Sequence, residues 1–391
     1  MQWARVVGLL SGTSMDGIDV AVAELRLDGD AIELRSLGST SLDYPEELRG
    51  ELLAALPPGE CDAATLCRLD TLVGQRFAEA ARLGVELAGG AELIASLGQT
   101  IFHWVSGDRA LGTLQIGQPA WIAEATGLPV ISDLRTRDVA AGGHGAPLAG
   151  VLDALWLAEE PGVPVAVNIG GIANLTVVGG PRPLAYDTGP GNALLDAAAR
   201  RRTGRQQDTG GALAATGTVD EELLAELLAD DYYARPAPKS TGKEHFNAEY
   251  LARVLDSPIT DADLLATLTE LTARTIADAC RAEGGSKVVI SGGGVHNPVL
   301  LAALRRELEV PVLISDELGL PAQDKEAILT ALLGFLTWHS IPGNTPGTTG
   351  AAGPRALGSI TPGAGPLRMP EPATRRPTRL RVLTTTQEGK R

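Results

Sequence analysis

The chain has 391 residues, 44% of them hydrophobic and 21% charged, which is the composition of an ordinary globular protein long enough for two domains of roughly 100–200 residues. Its formal net charge is −15. So acidic a balance excludes a broad basic face for nucleic acid or an anionic membrane, and any anionic ligand needs a local basic pocket.

From the N-terminus, residues 6–25 read as an apolar strand, a turn Ser11-Gly12-Thr13-Ser14-Met15-Asp16-Gly17, and a returning strand. The run at residues 6–10 is cut by Ser11 and Gly12, too early for a secretory segment, and no later stretch approaches the roughly 20 apolar residues that span a bilayer. Cys61, Cys67 and Cys280 form neither a metal-ligand spacing nor a complete disulfide framework, so a reducing cytoplasm is expected. Asp62 precedes a helical pattern with Leu66, Leu69, Val73, Phe77 and Ala80 on one face. Residues 93–96 read as a short strand leading into a polar turn, Gly98-Gln99-Thr100. A helix over 119–126 should stop at Gly127, with a buried strand at 128–132. This alternation predicts an α/β layered fold.

Residues 163–178 repeat the opening design, with the turn Asn168-Ile169-Gly170-Gly171-Ile172-Ala173-Asn174. Glycine, serine, threonine and asparagine in such turns leave backbone N–H groups uncovered, a way to grip phosphate oxygens. Two copies in one chain predict a duplicated lobe and a nucleotide held between the copies. A strand near 184–186 then leads into Asp187-Thr188-Gly189-Pro190-Gly191-Asn192 and a helix through Leu194, Leu195 and Ala198. Residues 203–247 are polar, with a helix at 221–229 and a basic turn, Lys239-Ser240-Thr241-Gly242-Lys243. Thr260 and Asp263 have capping-box spacing before a long helix ending near Glu283. A strand at 287–290 runs into Ser291-Gly292-Gly293-Gly294, and Asn297 and Pro298 open the next helix. The chain has no Walker A lysine in place, and neither hairpin runs strand to helix as a dinucleotide fingerprint requires.

These residues carry a resemblance. Gly8-Leu9-Leu10-Ser11-Gly12-Thr13-Ser14-Met15-Asp16-Gly17-Ile18-Asp19 resembles the first phosphate motif of the anhydro-N-acetylmuramic acid kinases, within the actin, Hsp70 and sugar kinase superfamily. The second hairpin is similar to their second phosphate motif, and Gly292-Gly293-Gly294-Val295-His296-Asn297 to their adenosine motif. The resemblance continues through residues 137–148, 187–192, 238–244 and 324–327. Leu97, Leu134 and His144 depart from the family pattern, which has histidine, phenylalanine and glutamine there.

The resemblance implies a two-lobed actin-like (ribonuclease H-like) ATPase fold with a central nucleotide cleft. Its lobes are expected at 1–135 and 136–363, with a mobile tail at 364–391. It implies that ATP phosphorylates O6 of 1,6-anhydro-N-acetylmuramic acid while water opens the anhydro ring, giving the 6-phosphate and ADP in cell-wall recycling. O6 is bonded to C1, so no free hydroxyl attacks phosphorus, and a carboxylate must deprotonate the water. Asp138 is the expected base and Glu326 the second acid, although an isolated carboxylate equally reads as solvated or as a helix cap. ATP is expected against Gly12, Thr13, Ser14, Met15, Asp16, Gly17, Ile18, Asp19, Gly170, Gly171, Asn174, Gly292, Gly293, Gly294 and Asn297. Mg²⁺ is expected at Asp16, with Asp187 second. Gln99 and Thr100 are the expected sugar contacts. Arg135, Arg137, Lys239 and Lys243 are the basic candidates, of which Arg135 is taken forward. The other partner expected is a second copy of the chain, in a homodimer. An ATP-driven conformational module of the same superfamily, or a kinase of an open sugar, are the alternative readings.

Overall fold

Val7 and Leu9 of β1 (Ala4–Ser11) join one core with Phe77, Ala80 and Ala81 of the Ala63–Leu87 helix. On the opposite face, a Cβ at Gly8 would collide with the Ala327 carbonyl of the Lys325–Trp338 helix, so only glycine lets that helix lie directly on the strand. The first apolar run is therefore continuous because both faces of the strand are covered. The computed structural model describes residues 2–383 except 13, 58, 108, 180–182, 256–257 and 374.

The chain divides into two units. One runs to Ala158 and resumes at Asp324, and the other is Glu159–Gln323. In the first, β1, β2 (Gly17–Asp28) and β3 (Ala31–Asp43) form an antiparallel meander. β4 (Leu93–Ser106) lies parallel to β1, with β5 (Arg109–Ile116) folded back on it as a ribbon, and β6 (Val130–Ser132) lies parallel to β4. In the second unit, β7 (Pro164–Ile169), β8 (Ile172–Val177) and β9 (Leu184–Pro190) form another antiparallel meander. β10 (Lys287–Ser291) runs parallel to β7, and β11 (Val312–Ile314) parallel to β10. Back in the first unit, β12 (Ser359–Thr361) and β13 (Arg379–Val382) pair with β6 and β3.

The two sheets share one topology. Each has three antiparallel strands, a fourth parallel to the first, and a fifth parallel to the fourth. The expected duplicated α/β fold is thus written in the strand order.

Helix ends fall where the caps place them. Asp62 accepts from Thr65 N at 2.8 Å, Thr260 from Asp263 N at 3.1 Å, and Asn297 from Val299 N and Leu300 N at 3.1 Å. Each such cap contributes about 0.5–2 kcal/mol. Gly127 ends the Pro119–Thr126 helix at φ 68°.

Three expectations change. The boundary does not fall at residue 135, because residues 136–158 and 324 onward pack with the N-terminal unit. Gly98-Gln99-Thr100 is no turn but lies inside β4, held by β1 and β5. Within the tail, Arg379–Val382 is a strand beside β3, while residues 384–391 lie outside the described residues.

Candidate functional site

In the first unit, Ser11 Oγ lies 2.8 Å from the Gly17 carbonyl and 2.6 Å from Oε1 of Gln99, its one proton shared between the two acceptors, closing the base of the β1–β2 turn. Gln99 Nε2 donates to the Gly12 carbonyl at 3.4 Å and the Thr100 carbonyl at 3.2 Å. Gln99 is fully buried, so it braces the turn where a sugar contact was expected. Thr100 is half-buried and its hydroxyl accepts from Gln115 Nε2 at 3.3 Å. Met15 and Ile18 point into the core and have only backbone to offer a ligand. Gly12, Ser14, Asp16 and Gly17 are not buried, and Ser14 Oγ donates to Asp16 Oδ1 at 2.9 Å. Thr13 lies outside the described residues.

Asp19 follows this turn on β2, exposed, and its carboxyl is pushed up to about 6. Loss of water around the group is the larger cause, and the carboxylates of Asp16, Glu326 and Asp324 add to it. The turn and the start of the Lys325–Trp338 helix therefore gather acidic charge. Among the described residues no group of three or more acidic, histidine or cysteine side chains could enclose a metal ion.

Asp138 stands on the short Thr136–Ala140 helix and is fully buried. Oδ1 accepts from Asn344 Nδ2 at 2.6 Å and Thr349 Oγ1 at 2.8 Å, and Oδ2 accepts from Gly145 N at 2.8 Å. A base must reach water, and this carboxylate is enclosed by structural donors. Arg135 donates to the Gly145 carbonyl at 2.7 Å. Burial works against its charge, while Glu326 and Asp138 support it. Glu326 itself is exposed at the helix start. A cavity of about 310 Å³ in the same unit is lined by Leu97, Gly98, Gln115, Ser132, Asp133 and Thr136, among others.

In the second unit, register places Asn168, Asn174 and Asp187 side by side across β7, β8 and β9. Asp187 Oδ2 accepts from Thr241 N at 3.0 Å, its backbone N donates to the Lys239 carbonyl at 3.0 Å, and Tyr232 Oη donates to its carbonyl at 2.6 Å. Burial pushes the Asp187 carboxyl up to about 6, the Thr241 hydrogen bond offsets this in part, and Glu244 raises it further. The Gly170 carbonyl accepts from Asn192 N at 2.8 Å, and the Gly171 carbonyl from Gly191 N at 2.9 Å and Ala193 N at 3.0 Å. Gly294 packs on Ile169, and Gly293 is exposed at the end of β10. Asn297, expected at the nucleotide, spends its side-chain oxygen on capping the Pro298–Glu307 helix.

Residues 4–363 match the family model described as anhydro-N-acetylmuramic acid kinase. The chain is 55% identical to the anhydro-N-acetylmuramic acid kinase of Streptomyces coelicolor, over 97% of this chain and 99% of that one. It is 52% identical to that of Rhodococcus erythropolis, over 92% and 94%. The chain belongs to the anhydro-N-acetylmuramic acid kinase family. Among solved structures, component A of the Acidaminococcus fermentans (R)-2-hydroxyglutaryl-CoA dehydratase is similar at 17% identity and a TM-score of 0.44, covering 85% of this chain and 98% of that one.

Within this member of the anhydro-N-acetylmuramic acid kinase family, two side chains escape a reading of motifs. Ser11 looks like turn filler, and its role appears only once β4 is set beside β1. Asp187 reads as a secondary metal candidate, whereas its raised carboxyl and its place in the row with Asn168 and Asn174 depend on sheet register. Leu97, a departure from the expected motif, is buried and lines the cavity of the first unit.

Proposed function

We propose that the chain transfers the γ-phosphoryl group of ATP to O6 of 1,6-anhydro-N-acetylmuramic acid while water opens the anhydro ring. The observation that carries this reading is the family match over residues 4–363, on a chain whose two sheets repeat one topology and each carry a glycine hairpin. Water attacks C1 and yields a proton to a carboxylate. The C1–O6 bond breaks, O6 forms its bond to the γ-phosphorus, and ADP leaves.

Asp187 is the carboxylate we assign as base. Its Oδ2 is oriented by Thr241 N, it is not fully enclosed, and its affinity for a proton is raised toward the range in which a base works near neutral pH. Asp138, with both oxygens held by buried donors, is assigned to shaping the loop that ends at Gly145. The cavity lined by Gln115, Ser132, Asp133 and Thr136 has the size and polar lining of a small-sugar site. Glu326 and Arg135, whose charges support one another, are the pair assigned to orienting the sugar.

The acidic charge around Asp19 fits Mg²⁺ held through ATP phosphates and water, with Asp16 and Asp19 as the carboxylates beside it. When bound, the ion would neutralise charge on the transferring phosphoryl group. Three free cysteines support a cytoplasmic setting, and no helix among the described residues is long and apolar enough to cross a membrane. The homodimer implied by the resemblance is checked by light scattering, where one molecule of 40.5 kDa rules it out.

The reading is tested by supplying ATP with either the anhydro sugar or its hydrolysed form. ADP and a sugar 6-phosphate from the anhydro form support it. Phosphorylation of the open sugar alone overturns it.

A further inference from the structure

A lysine from a separate loop crosses the tip of the second glycine hairpin. A Cβ placed on Gly171 would lie 2.7 Å from Cε and 3.5 Å from Nζ of Lys243. The lysine stem therefore lies flat on the Gly171 backbone, and glycine is what admits it. No side chain larger than hydrogen fits there without moving the lysine.

The loop that brings Lys243 to this place is fixed on both sides. Before it, Thr241 N is bonded to Asp187, and the Lys239 ammonium donates to the carbonyls of Tyr232 at 3.2 Å and Tyr233 at 2.9 Å. After it, His245 N and Phe246 N both donate to the Gly242 carbonyl at 3.1 Å, making a tight turn. Phe246 is fully buried against Tyr232, Tyr233 and Tyr250. Asn247 Nδ2 then holds the carbonyls of Lys243 and Glu244, each at 3.0 Å. The backbone is anchored, yet the Lys243 side chain is exposed; its ammonium interacts with the charge of Asp196 but, among the described residues, lies within ion-pair distance of no carboxylate.

The hairpin tip is arranged to match. Both turn carbonyls are occupied by amides of residues 191–193, whereas the N–H groups of Gly170 and Gly171 donate to no described residue. Two open amides and an ammonium that feels the charge of Asp196, too far for an ion pair, meet at the hairpin tip of a chain whose net charge is −15. Amide N–H groups and a lysine together are the donor set that a phosphate takes.

We propose that Lys243 is the cation of the second hairpin, binding a non-bridging oxygen of the β- or γ-phosphate of ATP while Gly170 and Gly171 N–H groups hold neighbouring oxygens. The assignment rests on the kinase reading above. It supplies, from a loop about 70 residues further along the chain, the charge that a phosphate loop usually carries in its own sequence.

Calorimetric titration of the full-length protein with MgATP and with adenosine tests it. Lys243→Ala should weaken ATP about tenfold or more while adenosine stays within about twofold, and Lys243→Arg should keep most of the ATP affinity. ATP binding by Lys243→Ala within about twofold of the wild type overturns the proposal, as does an equal loss for adenosine. Gly171→Ala is the second probe, since its methyl group displaces the lysine without removing its charge. It should weaken ATP in the wild-type background and add little in Lys243→Ala, and fully additive losses would contradict the shared role. Failure of the kinase reading looks different, because the wild type would then bind MgATP yet leave the anhydro sugar unphosphorylated, whatever Lys243→Ala does to the affinity.

Discussion

Ser11 and Gln99, 88 residues apart in sequence, share a buried hydrogen bond of 2.6 Å that joins the β1–β2 turn to β4. The same serine hydroxyl reaches the Gly17 carbonyl, and the Gln99 amide reaches Gly12, so the glutamine holds the start of the turn directly and its far end through Ser11. Gln99→Leu keeps the volume and removes these bonds. It should lower unfolding free energy by about 1–3 kcal/mol and raise the KM for ATP more than that for sugar, read by denaturant melts and steady-state kinetics. A rise confined to the sugar KM would return Gln99 to the role of a substrate contact.

The two aspartates separate by the kind of damage their loss causes. Asp138→Asn turns an amide toward Gly145 N, Asn344 Nδ2 and Thr349 Oγ1, donors that need an acceptor. Stability should fall by about 2–3 kcal/mol, visible as a lower Tm. Asp187→Asn should leave the melt near that of the wild type and reduce kcat by about 10²–10⁴-fold. Normal turnover by Asp187→Asn removes it from the mechanism.

Activity should also carry the Asp187 titration. With its carboxyl near 6 in the free protein, kcat/KM should rise with pH up to about 6 and level off above it. A conservative Asp187→Glu variant with residual activity should shift that limb. An acid limb unchanged in position would place the titrating group elsewhere.

Asp19 gives a stability signature of opposite sense to a salt bridge. Its carboxyl is raised from 3.8 to about 6 by loss of water first and by Asp16, Glu326 and Asp324 after that. The folded state thus holds this proton more tightly than the unfolded chain. The cost is absent below about pH 4, grows between about 4 and 6, and is complete above about 6. Asp19→Asn should therefore raise Tm at pH 8 and leave it unchanged at pH 4, with a uniform shift at both pH values counting against the account.

Lys325 and Asp153 form a buried ion pair at 2.6 Å, with side chains 6% and 4% exposed, at the start of the helix that carries Glu326. Lys325→Met leaves Asp153 charged and buried, a loss of about 3–5 kcal/mol, while Lys325→Met with Asp153→Leu should recover most of it. Chemical denaturation of the three proteins measures this.

Much of the fold is legible in local sequence. Asp62, Thr260, Asn297 with Pro298, and Gly127 mark helix ends because capping is a matter of a few neighbouring residues. Features set by distant partners are less so. Gly98-Gln99-Thr100 has turn composition, yet pairing with β1 and β5 holds it extended. Residues 187–190 continue as strand because β9 is a sheet edge, where Pro190 is tolerated. Asp138 reads as catalytic from its glycine-rich surroundings, and the partners that bury it, Asn344 and Thr349, lie 206 and 211 residues away. Lys243 is one of four basic candidates in sequence, of which Arg135 is the one taken forward, and only its passage over Gly171 distinguishes it.

The central claim is that water opens the sugar ring as phosphate is transferred, and isotope placement tests it most directly. The protein is supplied with ATP and the anhydro sugar in ¹⁸O-labelled water, and the product is reduced at once to stop exchange at C1. The account predicts one ¹⁸O on C1 of the sugar 6-phosphate and none in its phosphoryl group. Label in the phosphate, or an unlabelled C1, would contradict it.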